Sequence, residues 1–92
     1  MNFEWSKEKA DLNLKKHNVT FEEAISVFDD PLSKIVDDSD NSFLEIREKI
    51  IGYSKNGRLL FVSFTERKNQ LRIISAREAT KNERKNHEED NI

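Results

Sequence analysis

The chain has 92 residues, of which 35% are hydrophobic and 37% are charged, so it can form one small domain with a modest core. It contains no cysteine, which excludes disulfides, thiol catalysis and cysteine-based zinc sites. No apolar run approaches the roughly 20 residues of a membrane helix, and no signal-like segment opens the sequence. We therefore expect a soluble, cytoplasmic protein.

The net charge of −2 hides an asymmetry along the chain. Residues 44–87 carry eleven Lys and Arg against five Asp and Glu, whereas residues 1–43 carry five against ten. A basic second half beside an acidic first half is compatible with a polyanion on one side and a basic partner on the other. It is equally compatible with an ordinary solvated surface of mixed charge.

The first part of the sequence predicts two helices. Ser6 can cap a helix that runs to about His17, with Asn18 as a left-handed stop. Thr20-Phe21-Glu22-Glu23 is a capping box, which predicts a second, short helix that ends before Asp29.

Residues 32–36 predict an edge strand, and the acidic residues 37–42 predict a turn. This turn lacks the mid-loop glycine of a calcium-binding EF-hand, so we expect no metal site there. The chain also lacks a phosphate loop and a dinucleotide fingerprint, so we expect no cofactor.

The second half predicts an antiparallel meander with strands at 43–54, 58–66 and 71–77. The middle strand is apolar on both alternating faces, which is typical of a strand covered above and below. Lys55-Asn56-Gly57-Arg58 is the strongest hairpin signal in the chain. A two-residue turn at Asn56-Gly57 would place Tyr53 opposite Leu60.

The charged tail predicts one more helix. Thr80-Lys81-Asn82-Glu83 is a second capping box, but the residues that follow to Glu89 have no apolar face. Such a helix is stable only against a partner or through side-chain pairs. The predicted fold over residues 1–92 is a single α+β domain. Two N-terminal helices pack on an antiparallel sheet of three to four strands, and residues 80–92 form a C-terminal helix or tail.

The ordered combination of short motifs resembles a known family. The motifs are Phe3-Glu4-Trp5, Lys16-His17, Phe21-Glu22-Glu23-Ala24, Val27-Phe28-Asp29-Asp30-Pro31, Gly57-Arg58-Leu59-Leu60, Phe64-Thr65-Glu66-Arg67 and Arg72-Ile73-Ile74-Ser75-Ala76-Arg77. In this order they resemble the BrnT-type toxins of bacterial type II toxin–antitoxin pairs. The resemblance implies a RelE-like, metal-independent endoribonuclease that arrests translation and growth.

The resemblance also implies a partner. It would be a BrnA-like antitoxin of the ribbon-helix-helix class, joined to the toxin in an assembly of two copies of each. Operator DNA would be bound only through the antitoxin.

Candidate catalytic residues follow from what metal-free RNA cleavage needs: a proton acceptor, cations at the phosphate and a proton donor. By the resemblance, Arg67 and Arg77 would bind the phosphate. The alternative for each is a strand-end salt bridge with Glu66 or Glu78. His17 is the candidate for proton transfer, although a basic residue near a helix C-terminus is also favoured by the helix dipole.

Further candidates have smaller roles. Thr65 can orient a phosphate, or it can serve only as a good strand former. Lys16, Lys81 and Arg84 are candidate RNA-binding residues. Tyr53 and Glu66 are reserve proton-transfer groups.

The turn between the last two strands decides whether the candidates meet. A two-residue turn at Lys68-Asn69 would place Thr65 and Arg67 on the face opposite Arg77, whereas a three-residue turn would place all three on one face. Two other function classes stay open on the sequence alone: a non-catalytic antitoxin-binding module, and a direct nucleic-acid binder.

Overall fold

The computed structural model describes residues 2–37 and 46–90. Its elements in chain order are β1 (Asn2–Glu4), α1 (Lys7–His17), α2 (Phe21–Ile25) with a 3-10 turn (Ser26–Asp29), β2 (Lys34–Asp37), β3 (Glu48–Tyr53), β4 (Leu59–Arg67), β5 (Gln70–Glu78) and α3 (Lys81–Asp90). This is an α+β fold, as predicted. The acidic turn expected at 37–42 and the start of the strand expected at 43–54 lie largely outside the described residues.

The sheet has five strands in the order β1-β5-β4-β3-β2. Strands β2 to β5 form the predicted antiparallel meander, with β2 at one edge. The prediction of a purely antiparallel sheet of three to four strands is wrong, because β1 pairs in parallel with β5 through Phe3 and Leu71. The two strands of this pair are far apart in the sequence, so no short turn joins them. The pairing therefore leaves no local signal from which it could be predicted.

Both N-terminal helices are capped as predicted. The Ser6 hydroxyl accepts a hydrogen bond from the Lys9 amide (3.3 Å), and the Thr20 hydroxyl accepts one from the Glu23 amide (3.0 Å). Asn18 adopts the left-handed conformation with φ 57° and ends α1. The α-helical part of the second helix ends at Ile25, and the 3-10 turn continues it through Asp29, one residue beyond the predicted end.

The core lies between α1, α2 and one face of the sheet. Alternate side chains of β4, Leu60, Val62 and Phe64, are buried there against Phe21 and Val27. The intervening side chains of β4 project to the opposite face, which we call the distal face. Since α3 packs on one end of the distal face, β4 is covered on both sides there, as its apolar sequence predicted.

The turn between β3 and β4 differs from the prediction by one residue. The Ser54 amide donates to the Arg58 carbonyl (2.8 Å), and Gly57 has a φ of 79°, so the loop holds three residues. Tyr53 therefore pairs with Leu59 and not with Leu60. A three-residue loop that ends in a left-handed glycine is a common alternative to the two-residue turn.

The turn between β4 and β5 has two residues, the first of the two lengths that the sequence left open, but Thr65, Arg67 and Arg77 do not lie on opposite faces as expected for that length. Lys68 and Asn69 both have positive φ, at 47° and 67°. Ser63 pairs with Ser75 whereas Phe64 pairs with Ile73, so residue 74 is an extra residue in β5. Side chains along β5 alternate between the two faces of the sheet, and the bulge shifts this alternation by one residue. Every residue of β5 after the bulge therefore projects to the face opposite the one that regular pairing would give it. Thr65 and Arg67 consequently share the distal face with Arg77.

A buried ion pair joins α2 to the β3–β4 hairpin. Glu23 is only 4% exposed. Both oxygens of its carboxylate accept hydrogen bonds from the Arg58 guanidinium. The Ser54 hydroxyl donates a further bond to it (2.6 Å). The Arg58 hydrogen bond lowers the pKa of Glu23 to about 2, although burial alone would raise it.

We expect this pair to make the fold sensitive to acid. Because the pKa of Glu23 falls from 4.5 to about 2 on folding, the pair stabilises the protein fully above pH 4.5 and loses its effect as the pH falls towards 2. The shift corresponds to about 3 kcal/mol. Glu23→Gln should lower the free energy of unfolding at pH 7 by about this amount and flatten its dependence on pH in that range, as measured by urea denaturation.

Glu78→Gln is the matched control, because Glu78 also accepts a bond from Arg58 but its side chain is 56% exposed. It should change stability by less than about 1 kcal/mol. Equal losses in the two variants would contradict a dominant role for the buried partner.

Candidate functional site

A cationic cleft of about 300 Å³ lies on the distal face. Four basic side chains line it, His17, Arg47, Lys49 and Arg77, together with the hydroxyls of Ser63 and Ser75. None of the described residues that line the cleft is acidic. The cleft is therefore suited to an anion such as a phosphodiester.

Strand register places these side chains together. Lys49, Ser63 and Ser75 form one row across β3, β4 and β5, and Ile51, Phe61 and Arg77 form the next row on the same face. Side chains two residues apart on a strand project to the same face, which explains the two parallel rows. The bulge in β5 is essential here, because it brings Ser75 and Arg77 to the face that carries Ser63.

His17 reaches the cleft from the end of α1. The side-chain amide of Asn13 donates to the Ala76 carbonyl (2.8 Å) and accepts from the Ala76 amide (3.0 Å). Asn13 thus makes the two hydrogen bonds that a neighbouring strand would make at the outer edge of β5. This contact fixes the last turn of α1 against β5 and holds the half-buried His17 at the rim of the cleft.

Arg77 has three partners, one of which is the Glu78 carbonyl, to which Nη1 donates at 3.1 Å. Its guanidinium lies over the Phe61 ring at 5.2 Å, and its two terminal nitrogens donate to the Glu83 carboxylate at 2.8 and 2.9 Å. The salt bridge weighed as the alternative role of Arg77 is therefore present, with Glu83 in place of Glu66 or Glu78. Arg77 lowers the pKa of Glu83 to about 2, and Glu83 raises the pKa of Arg77. A guanidinium has five N–H donors, so binding Glu83 does not exhaust its capacity for a phosphate.

Polar groups hold α3 on the sheet in place of an apolar face. His87 is 4% exposed, and its ring lies 6.0 Å from that of Tyr53. The Tyr53 hydroxyl is 3.4 Å from a carboxylate oxygen of Glu88, which also lies 3.8 Å from the guanidinium of Arg84. The helix is thus anchored through side-chain pairs, one of the two possibilities that the sequence left open.

The remaining candidates lie outside the cleft. Arg67 lies near Glu4, Lys68 and Arg72 at the tip of the β4–β5 hairpin. Arg67 lies six residues along β4 from Phe61, the residue that pairs with Arg77. This corresponds to roughly 20 Å along the strand. The expectation that Arg67 and Arg77 clamp one phosphate is therefore wrong in this structure, although both project to the distal face.

Thr65 is 3% exposed, and its hydroxyl donates to the Ile46 carbonyl at 2.6 Å, so it anchors the segment before β3. Tyr53 contacts α3, and Glu66 is exposed near the hairpin tip. Lys81 and Arg84 are exposed on α3, and Lys16 lines a groove beside the cleft.

Sequence reasoning missed Arg47, Lys49, Ser63 and Ser75. Their signal is the two-residue spacing of polar side chains, Arg47 with Lys49 and Ser75 with Arg77. The spacing becomes informative only when the strand register is known, because a shift of one residue moves each set to the other face.

Comparison with known proteins gives the family. The family of ribonuclease toxins called BrnT, of type II toxin–antitoxin systems, matches residues 5–83. The chain belongs to the BrnT toxin family. A similar fold is found in the crystal structure of the Brucella abortus ribonuclease toxin BrnT. That match has a TM-score of 0.69 and 21% sequence identity, and it covers 88% of this chain and 99% of the other. No curated protein sequence matches the chain.

The described residues of this BrnT family member include no membrane-spanning helix and no cluster of metal ligands. None of its helices is long and apolar enough to cross a membrane. Residues 2–37 and 46–90 contain no group of three or more His, Asp and Glu side chains arranged to hold a metal ion. The acidic residues 38 and 40 lie outside these ranges.

We expect the Arg77–Glu83 pair to order α3. Glu83→Gln removes the charge that Arg77 binds and weakens the capping box at Thr80, whose amide donates to Glu83 at 2.8 Å. Because the pair is partly exposed, the loss should be about 1 kcal/mol, or several-fold lower hydrogen-exchange protection across α3.

Glu89→Gln is the control on the same helix, since Glu89 is exposed. It should leave protection unchanged. Unchanged protection in Glu83→Gln as well would contradict a role of the Arg77–Glu83 pair in ordering α3.

Proposed function

We propose that the chain is an endoribonuclease toxin of the RelE-like superfamily that cleaves RNA in the cationic cleft. The observation that carries the proposal is the convergence of His17, Arg47, Lys49 and Arg77 on one cleft of the distal face. A cationic cleft with an imidazole at its rim has the groups that cleavage of a phosphodiester requires.

Each group has a role in the reaction. The neutral imidazole of His17 takes the proton from the 2′-hydroxyl, which then attacks the adjacent phosphorus. Arg47 and Arg77 stabilise the charge that builds on the phosphate oxygens. The ammonium of Lys49 can return a proton to the 5′-oxygen that leaves. The products are a 2′,3′-cyclic phosphate and a 5′-hydroxyl. The attacking oxygen belongs to the RNA itself, so the reaction needs no external nucleophile.

The hydroxyls of Ser63 and Ser75 lie beside these cations and can orient the phosphate by hydrogen bonds. Phe61 packs beneath two of the cations, with Lys49 at 6.0 Å and Arg77 at 5.2 Å from its ring centroid. These contacts hold the cations in place before the substrate binds, which lowers the cost of reorganisation during the reaction.

The proposal includes control by an antitoxin. In a type II pair the inhibitor is a protein, and we propose a BrnA-like ribbon-helix-helix antitoxin in a complex of two toxins and two antitoxins. A segment of the antitoxin would cover the cleft, so inhibition would be occlusion. Operator DNA would be bound through the antitoxin alone, and the toxin would act on cytoplasmic RNA and arrest growth.

A second candidate is a non-catalytic module that keeps the fold and binds the antitoxin. The bond between Arg77 and Glu83 favours it, because a side chain that holds α3 needs no catalytic role. The two functions differ in their effect on cells. The ribonuclease removes transcripts and stops growth when it is produced without the antitoxin, whereas the module does neither.

We expect Arg77→Ala to reduce RNA cleavage about 10²–10³-fold, since it removes a contact to the developing charge. Glu83→Gln is the control for α3, because it also breaks the ion pair but keeps the guanidinium. It should retain most of the activity. Arg67→Ala, at the hairpin tip, should lose less than tenfold. The measurement is the single-turnover rate on a labelled RNA, with folding checked by circular dichroism.

Equal losses in Arg77→Ala and Glu83→Gln would assign the effect to α3. A loss in Arg67→Ala as large as that in Arg77→Ala would place the reaction at the hairpin tip.

We also expect cleavage to be independent of metal. The described lining of the cleft supplies cations and no carboxylate, so the protein's own side chains provide the positive charge at the phosphate. The rate should be unchanged in excess EDTA and after addition of Mg²⁺ or Mn²⁺. A rate that falls with EDTA and recovers with one of these ions would contradict this part of the proposal.

A further inference from the structure

A groove of about 570 Å³ runs between α1 and β5 beside the cationic cleft. Lys9 and Lys16 lie on the side of the helix that faces it, seven residues and so roughly 10 Å apart along the axis. Leu12 lies between them with 59% of its surface exposed, and Ile74 lies on the β5 side. The groove thus has an apolar floor and a cationic rim.

The groove and the cleft are continuous. Both are lined by His17, Ile74 and Ser75. The bulge in β5 lies at this junction, since residue 74 is the extra residue in the pairing of β4 with β5. A chain that leaves the cleft past His17 therefore enters the groove directly.

The basic side chains of α1 that line the groove lie on a different side of the helix from its acidic side chains. Its acidic residues, Glu8 and Asp11, do not line the groove, and Asp11 pairs with Lys7 at 3.3 Å on another side. Lys15, Lys16 and His17 give the last turn three basic side chains. The groove therefore attracts polyanions, and the adjacent acids do not cancel this field.

We propose that this groove is a second RNA-binding site, which holds the single-stranded segment next to the phosphate that reacts in the cleft. The proposal rests on the proposed function of the cleft and extends it. Lys9 and Lys16 bind phosphates, while the bases contact Leu12 and Ile74. Cationic grooves with apolar contacts to the bases are the general means of holding single strands without regard to sequence.

The test compares a long and a short substrate. Lys9→Ala/Lys16→Ala should raise KM for a labelled single-stranded 12-mer about 10-fold or more and leave kcat within twofold. A dinucleotide, which fills only the cleft, should be cleaved equally well by the wild-type protein and the double variant. The control is Lys7→Ala/Lys55→Ala, which makes the same change in charge away from the groove and should change neither constant.

Salt dependence provides a second measurement, which does not need catalysis. Binding of a 12-mer whose 2′-hydroxyls are methylated should weaken less steeply with salt in Lys9→Ala/Lys16→Ala. Two lost phosphate contacts lower the slope of log K against log salt by about 1.4. If the wild-type protein cleaves no RNA, the proposed function fails, and this binding measurement still decides whether the groove holds RNA.

An unchanged KM for the 12-mer together with an unchanged salt slope would overturn the proposal. So would a double variant that loses affinity for the antitoxin but not for RNA, because the groove would then be a protein-binding surface.

Discussion

One extra residue in β5 determines which side chains meet on the distal face. The two-residue turn at Lys68-Asn69, continued by regular pairing, would direct Ser75 and Arg77 into the core. An arginine there would lose its hydration without a partner, at a cost of several kcal/mol. The bulge at residue 74 removes this conflict, and it also sends Ala76 to the core, where it is buried. Ile73 precedes the bulge, so the turn alone already directs it to the core.

The contacts that hold the helices also position the candidate site. The side chain of Asn13 makes the two backbone hydrogen bonds with Ala76 that a neighbouring strand would make at the edge of β5. These bonds hold α1 against β5 and so position His17 beside the cleft. Glu83 holds Arg77 on the opposite side of the cleft and anchors α3 through the same pair. His17 and Arg77 both line the cleft, so each of these contacts positions one of its basic side chains.

Local signals in the sequence predicted most of the elements, because caps and turns act within a few residues. The caps at Ser6 and Thr20 and the left-handed Asn18 gave the helices of the first half. Long-range features left no such signal. The parallel pairing of β1, the bulge in β5 and the contact between Asn13 and Ala76 each join residues far apart or depend on register. Of the side chains that line the cleft, His17 and Arg77 were candidates on the sequence alone, whereas the places of Arg47 and Lys49 required the register of three strands.

The central claim is that RNA binds the distal face at the cleft, and a nuclear magnetic resonance titration tests it most directly. The probe is an oligoribonucleotide with methylated 2′-hydroxyls, which lacks the attacking group and so stays intact. The account predicts that the largest shifts of backbone amides occur at Lys49, Ser63, Ser75 and Arg77, with smaller ones at the hairpin tip. Shifts confined to Arg67, Gln70 and Arg72, with those four residues unaffected, would contradict it.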